Sequence, residues 1–525
     1  MKKILLLVCA FTLLIGCKRG QDFSDLYLEE TVITNFFAQH PETEEIQEEV
    51  NLFYEDRDYQ YAWFNKKGMT EAVDNFYNQL QNYSNDFADN SFQNPELDQM
   101  IASVAKKKTN KKEVEKLELL LTTTFFKFSK KAYGGTTKNP RNLGWFIPVK
   151  KKNYQEILDE LIVNDDEAID EPVNIYYKKL RQKLREYRAI QDNGGFPKIV
   201  TSKKILSLND KDSCLVNAKR RLFLSGDLKT NDKSIVYTPA LAKAVTNFQQ
   251  RVGLPESGKI DKQTLIELNK SVEFRIRQIM INLERLRWLP AELEKNYLLV
   301  NIPEYRLHIY EGNKLVWETN VVVGKEMSRT SIFKGNISQI VLNPYWNVPP
   351  SIANNEILPE LKKNPGYLSN NNMELVQNGQ VVDPYSVYWS DYSGNIPYEI
   401  RQKPGDDNSL GKIKFLFPNG FNIYLHDTPA KSLFGLTKRS FSHGCIRVEY
   451  PKSLAFYLLR NDRKWPQEKI ENVLDSDVST GITISPKVPV YITYFTAWVD
   501  PKGNLNFRND IYNLDGKLAR EVFER

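Results

Sequence analysis

The chain has 525 residues, 41% of them hydrophobic and 26% charged, with a formal net charge of +6. That length exceeds one ordinary core and sets an expectation of about two to four domains, and the composition is globular rather than disordered. So mild a charge leaves no footprint for nucleic acid, and the lysine-rich run from Lys106 to Lys116, broken by Glu113 and Glu115, reads as a solvated face.

In chain order, Lys2-Lys3 precedes an apolar run from Ile4 to Ile15. Its length suits the apolar part of an export signal, about 7–15 residues, and falls short of the ~20 that a spanning helix needs. The run ends in Leu14-Ile15-Gly16-Cys17, which resembles a bacterial lipoprotein box. On that reading residues 1–17 are a signal, Cys17 is lipidated through its sulfur, and the protein is exported, periplasmic and anchored to a membrane. The plainer reading is an ordinary cleaved signal with an incidental cysteine. Beyond Cys9 and Cys17 only Cys214 and Cys445 remain, so no disulfide framework is expected. Cys214, among Leu215, Val216 and Ala218, reads as a buried structural thiol.

Residues 18–197 read as mostly helical. Glu42 to Glu49 opens a helix, and Ala72 to Leu80, Lys116 to Ala132 and Ile175 to Tyr187 carry apolar residues at helical spacing. Trp63 and Phe64 read as core aromatics, and Gly194-Gly195-Phe196-Pro197 as a boundary. In residues 198–270, Leu241, Val245 and Phe248 share one helix face, Gly253 and Gly258 permit turns, and Asp261 caps a further short helix. This stretch resembles a small helical peptidoglycan-binding module. Val272 to Leu289 returns to an amphipathic helix ending at Pro290.

From residue 295 the period becomes alternating. Leu307 and Ile309 alternate with Arg306, His308 and Tyr310, and Glu311-Gly312-Asn313-Lys314 makes a hairpin turn before Leu315-Val316-Trp317 and Val321 to Val323. Further strands are expected at Ile337 to Leu342, Ile413 to Phe417, Phe421 to Leu425 and Val490 to Val499, with a hairpin at Pro501-Lys502-Gly503-Asn504. Between them lies an insertion at about 350–400, a length that inside a compact domain is usually functional.

The chemistry concentrates in Ser442-His443-Gly444-Cys445-Ile446-Arg447 and Tyr424-Leu425-His426, in a chain with only four histidines and four cysteines. Fifteen residues separate His426 from Ser442, enough for a strand end, a loop and a return. A thiol at its reference pKa is only a few per cent ionised at neutral pH and needs a basic or cationic neighbour to attack a carbonyl. Cys445 is the candidate nucleophile, against the alternative of an inert buried thiol. Imidazole suits the general base because it takes and returns a proton near neutrality. The N–H groups of Gly444 and Cys445 are candidate oxyanion donors. Tyr424, two residues before His426, faces the same side of a strand. Three zinc ligands from Cys445, His443 and His426 have poor spacing, and no metal or cofactor is called for. His308 reads as structural.

With its spacing, Ser-His-Gly-Cys-x-Arg resembles the signature of the L,D-transpeptidase (YkuD-type) catalytic domain. Other blocks agree: Val300-Asn301-Ile302-Pro303, the run from Asn343 to Pro350, Arg401-Gln402-Lys403-Pro404-Gly405, Phe417-Pro418-Asn419 and His426-Asp427-Thr428-Pro429. The resemblance implies an α+β chain of the large multidomain class. It has a helical scaffold over 18–197 completed by 271–294, a peptidoglycan-binding module at 198–270, a β-rich catalytic domain at 295–515 with a capping insertion, and a tail at 516–525. It selects His426 as base and leaves His443, which adjoins the nucleophile, to shape the thiol's surroundings or the oxyanion site. It supports a site role for Arg447, which either meets an acidic group of the substrate or pins the loop. Ser442, Trp346 and Asn347 are further candidates for the substrate groove, the last two equally for packing, and Asp427 stands behind His426.

The activity so implied is 3→3 cross-linking of peptidoglycan tetrapeptide stems, donor and acceptor, with carbapenem-type β-lactams as inhibitors. The same acyl-enzyme could instead serve an L,D-carboxypeptidase or a wall-anchoring transferase. A papain-like protease is disfavoured because His426 precedes Cys445, and a non-catalytic peptidoglycan-binding lipoprotein is disfavoured by the intact Cys-His set.

Overall fold

The computed structural model describes residues 24–106, 110–135, 139–163 and 171–523. The signal reading of residues 1–17 and the lipidation of Cys17 fall outside them. Two compact units emerge, one of residues 1–134 with 152–172 and one of residues 135–151 with 173–525. Among the described residues no helix is long and apolar enough to cross a membrane.

The first unit is helical, as its periodicity predicts. The helix Lys111–Ser129 opens on a capping box between Asn110 and Glu113 and buries Leu117, Leu121, Phe125 and Phe128. Phe53 and Phe76 pack on its aromatic rings. Its Glu118 is fully buried yet satisfied, accepting from Tyr54 Oη at 2.8 Å and from the backbone N–H groups of Ala62 and Trp63.

In the second unit the module comprises the helices Cys214–Leu224, Pro239–Val252 and Lys262–Leu268 around a core that includes Cys214, Leu241, Val245 and Phe248. Asp261 caps the third helix by accepting from the Thr264 N–H at 2.8 Å. The helices Ile175–Asp192 and Val272–Arg287 pack on each other in this same unit, so compactness groups both with the catalytic sheet.

The catalytic sheet has nine strands. They are β1 (Asn296–Asn301), β2 (Arg306–Glu311), β3 (Lys314–Gly324), β4 (Phe333–Leu342), β5 (Ile413–Leu416), β6 (Leu425–His426), β7 (Ser440–Ser442), β8 (Ile446–Val448) and β9 (Thr480–Thr493). Their order is β7-β3-β8-β6-β5-β4-β9-β1-β2, and β2 also pairs with β3, so the sheet closes on itself. The insertion is a subdomain with its own four-stranded sheet and a core of Ile357, Leu361, Leu375, Trp389 and Ile400.

Three expectations change. Phe421 to Tyr424 is not strand, so Tyr424 precedes β6 rather than lying on it: the Asn419 side chain organises a loop, accepting from the Phe421 and Ile423 N–H groups and donating to the Phe417 and Ile423 carbonyls. The run Val490 to Val499 breaks after Thr493: Asn301 Oδ1 accepts from the Phe495 N–H and Asn282 Oδ1 from the Thr496 N–H, diverting the backbone before Ala497–Val499. The chain's last stretch is not a plain tail but the helix Leu514–Phe523, whose Asp515 meets Arg285 at 2.6 Å.

Asn282 is fully buried, and its amide also donates to Gln278 O and Thr496 Oγ1, both at 2.8 Å. Asn282→Ala strands the Thr496 N–H, and a buried unpaired donor costs about 1–3 kcal/mol. Calorimetry should show a lowered Tm for the transition of the catalytic unit alone; an unchanged Tm would mean that Asn282 does not hold helix to sheet.

Candidate active site

The site is built on backbone pairing. Strand β6 lies parallel to β8 with Leu425 opposite Ile446 and His426 opposite Arg447. On its other side β6 runs antiparallel to β5, with His426 opposite Lys414. Directly opposed residues share a face of the sheet, so Lys414, His426 and Arg447 form a cross-strand row with the imidazole in the middle. Cys445 immediately precedes β8, and the Ile446 N–H donates to the Tyr424 carbonyl at 3.1 Å, tying the two motif segments together at the point of interest.

The row fixes the electrostatics. His426 is buried, and the loss of solvent together with the charges of Arg447 and Lys414 pulls its pKa down to about 3; backbone groups of Asp427 and Leu410 oppose this only in part. Its Nδ1 has no hydrogen-bond partner among the described residues. The imidazole is therefore neutral at neutral pH, the form a base requires. Burial raises the Cys445 thiol, while Tyr424, Lys414 and Arg447 favour its thiolate. The Tyr424 ring lies edge-on to His426 at 5.6 Å between centroids, with Lys414 Nζ 4.0 Å from its centroid. Cys445 Sγ is 3.6 Å from the Asn422 carbonyl, which the Asn419-organised loop presents.

The loop that carries Cys445 is braced by its own hydrogen bonds. Ser442 Oγ donates to the Cys445 carbonyl at 2.6 Å and accepts from the Gly444 N–H at 3.1 Å. Of the two backbone groups expected to meet an oxyanion, the Gly444 N–H is thus already engaged, whereas that of Cys445 has no partner among the described residues. Gly444 has φ +122°, a conformation L side chains rarely adopt. Behind it Thr330 Oγ1 donates to Gly444 O at 2.8 Å and accepts from the Gly324 N–H at 2.9 Å. Gly324 ends β3 where a Cβ would lie 2.1 Å from Ser328 O, so no other residue fits.

The other candidates sort by their surroundings. Ser442 is buried and spends its hydroxyl on the loop, so it shapes the site rather than meeting substrate. Arg447 has a buried Nε without a partner and pairs with no carboxylate among the described residues; the loop-pinning reading is not what the structure holds. The Asp427 carboxylate accepts from the Thr428 and Lys412 N–H groups and meets Lys431 at 2.5 Å, which leaves it outside any triad with His426. Trp346 packs on the core of the insertion, and Asn347 is exposed on its edge strand. His443 Nε2 lies 3.0 Å from Glu356 Oε1 of the insertion. His308 sits between Glu304 and Glu318, which hold it protonated with a pKa of about 9. Lys414, Thr330 and Glu356 were not singled out from the sequence: each owes its place to a strand or loop remote from the motif.

Comparison with known proteins gives a consistent result. Residues 295–492 match the family described as "L,D-transpeptidase catalytic domain", residues 48–184 a "Scaffold domain", and residues 217–268 a "Putative peptidoglycan binding domain". A protein of Haemophilus influenzae named "Putative L,D-transpeptidase" is 32% identical over 368 residues, covering 64% of this chain and 74% of that protein. Among solved structures, an L,D-transpeptidase from Stackebrandtia nassauensis is 13% identical with a TM-score of 0.24, covering 56% of this chain and 97% of that one. One from Mycobacterium smegmatis is 10% identical with a TM-score of 0.20, covering 38% and 58%. Neither is near enough in shape to serve as a template for this site.

Iodoacetamide should label Cys445 at a rate still climbing above about pH 8, since burial keeps the thiol protonated there. Cys214, buried with its thiol pushed up to about 12, should stay unlabelled under native conditions. Mass spectrometry of digested protein reads both; a labelling rate already flat at neutral pH would mean that the thiolate is the resting form.

Proposed function

The chain belongs to the L,D-transpeptidase family, and we propose that it joins peptidoglycan stem peptides by 3→3 cross-links through an acyl-enzyme on Cys445. The observation that carries this reading is the row Lys414–His426–Arg447 beside the nucleophile's strand, which keeps the imidazole neutral and supplies positive charge where sulfur and carbonyl oxygen become negative. His426 takes the Cys445 proton as sulfur attacks the carbonyl carbon of the third residue of a tetrapeptide stem. The oxygen gains charge near the free Cys445 N–H. Collapse breaks the amide, and the terminal D-alanine leaves with its nitrogen protonated by His426. The side-chain amine of an acceptor stem then attacks the thioester. Its proton passes to His426 and on to the departing sulfur, which restores the thiol and the neutral base.

The insertion reaches the catalytic loop through Glu356 and His443, and we assign it to closing over bound stems. Arg447 and Tyr424 face the nucleophile and are read as substrate contacts. Carbapenem-type β-lactams present a strained carbonyl to the same thiol and are read as inhibitors. Peptidoglycan-directed domains argue for work outside the cytoplasm; export as a lipoprotein on Cys17 is a reading of residues 1–17 alone.

Incubation with disaccharide-tetrapeptide should yield a dimer lacking one D-alanine by mass. A tripeptide monomer alone would make the protein a carboxypeptidase, and neither product from folded protein would reject the reading. Cys445→Ala should abolish the product, and His426→Gln should slow acylation by about 10²–10⁴-fold, the usual worth of a general base.

The pH profile is a separate check. Because the His426 pKa lies near 3 rather than at its ordinary 6.5, the base is already neutral across the physiological range. The carbapenem acylation rate should show no inflection around pH 6.5, with its acid limb far below. A half-loss of rate near 6.5 would mean a solvated imidazole.

A further inference from the structure

A groove of about 1270 Å³ lies within the second unit where the module meets the catalytic sheet, and neither Cys445 nor His426 lines it. One wall is the module: the end of its second helix, the turn through Glu256 and the exposed face of its third helix at Ile266. The other wall is catalytic: Tyr305 and His308, the loop Gly435–Arg439, and Trp498 of the strand Ala497–Val499.

The walls are held at a set distance. Arg251 of the module donates to Leu505 O, and Arg508 Nη1 donates back to Arg251 O at 2.9 Å. Arg275 meets Glu267 at 2.6 Å, and Gln278 donates to both Thr496 O and Arg508 O. Gly253 approaches Arg508 so closely that a Cβ would lie 2.6 Å from its side chain. A module carried merely as a spacer on a linker needs none of this buried polar docking. Here it makes the groove a preformed feature, the cheapest kind of site to fill.

Size and charge say what fits. The volume exceeds the roughly 300–1,000 Å³ of small-molecule sites, so it suits a stretch of polymer. Both signs of charge line it: the exposed Glu256 and Lys438 stand beside an Arg306–Glu318 pair and a Glu304–His308 pair. A nucleic acid would call for one sign. A strand whose sugars carry hydroxyls and whose side peptides carry both carboxylates and an amine matches the mixture, and Trp498, with the Arg508 guanidinium 5.1 Å from its ring centroid, also lines the groove. Asn320 and Arg439 are among the residues that line the groove. Along β3, Asn320 is four residues from Gly324, about 13 Å at strand rise, and Gly324 pairs with Ser442 of the catalytic loop.

We propose that this groove is a composite peptidoglycan-binding site, seating a glycan strand and its stem peptide against module and catalytic domain together, upstream of the nucleophile. It rests on the reading of the chain as a peptidoglycan-directed enzyme and locates where that enzyme grips the polymer.

The test is co-sedimentation of the full Cys445→Ala chain with purified sacculi, which it cannot turn over. Two paired variants alter exposed residues only: Glu256→Lys with Ile266→Asp on the module wall (Ile266 is 54% exposed), and Leu436→Asp with Lys438→Glu on the catalytic wall (Leu436 is 45% exposed). Each pair should weaken sacculus binding by at least about tenfold, as expected for altering a central contact. In the Cys445 background each should still form the carbapenem adduct at the parent rate. Binding lost only with the module pair would mean that the module acts alone; binding lost only with the catalytic pair, or with neither, would equally overturn the composite site. Failure of the parent chain itself to form an adduct would count against the acyl-enzyme reading and leave the sedimentation result standing on its own.

Discussion

The site depends on one narrow ladder, the parallel pairing of β6 with β8 that sets His426 opposite Arg447 and Leu425 opposite Ile446. Register in a sheet is all or nothing for side-chain direction, because a slip of one residue sends every side chain to the other face. In the observed register the imidazole stands between two cations and beside the start of the nucleophile's strand. A slip of β6 by one residue would bring Leu425 or Asp427 opposite Arg447 and turn the imidazole to the other face. The surrounding structure enforces the register: Ser442 and Thr330 brace the loop from within, and Tyr512 Oη braces Gly324 and Thr330 from behind.

The same row explains a division of labour between the two charges. A buried imidazole flanked by Lys414 and Arg447 resists protonation, and a buried thiol resists ionisation. Both groups are therefore held toward their neutral forms at rest. In the proposed reaction the cations would act as negative charge develops on sulfur and oxygen, which is where preorganised charge lowers a barrier. Two polar groups at the centre lack partners among the described residues, His426 Nδ1 and Arg447 Nε. Buried atoms of that kind are costly, and here two of them stand side by side in one cross-strand row.

Around this centre the chain adds surfaces that could not have come from the closed sheet alone. The insertion brings its own core and sheet, so it moves or stays as a body and contacts the catalytic loop through Glu356. The module is locked to the catalytic domain by arginines that donate to backbone carbonyls, bonds that specify one docking geometry more strictly than apolar contact would. Helices from before and after the module pack on each other and on the strand Ala497–Val499 of a separate two-stranded hairpin, which makes the insertion point of the module part of the second unit's frame.

Much of this was legible in the residues. Helical spacing at Lys116 to Ala132 and Leu241 to Phe248, the Asp261 cap, the hairpin at Glu311 to Lys314 and the rarity of His and Cys outside the motif are local facts, and local propensity and period decide them. Other features were not legible, because side chains distant in sequence produce them: Asn419 turning an apparent strand at Phe421 into a loop, Asn282 and Asn301 breaking the run after Thr493, and Ser442 spending its hydroxyl inside its own loop. The sequence by itself determined which reactive groups are on hand, since a thiol and two imidazoles fall in two neighbouring segments of a chain poor in both. The tertiary structure decided which groups tune it, because Lys414 and Arg447 acquire their influence over His426 from strand register, and register is settled by the whole sheet's need to bury one face.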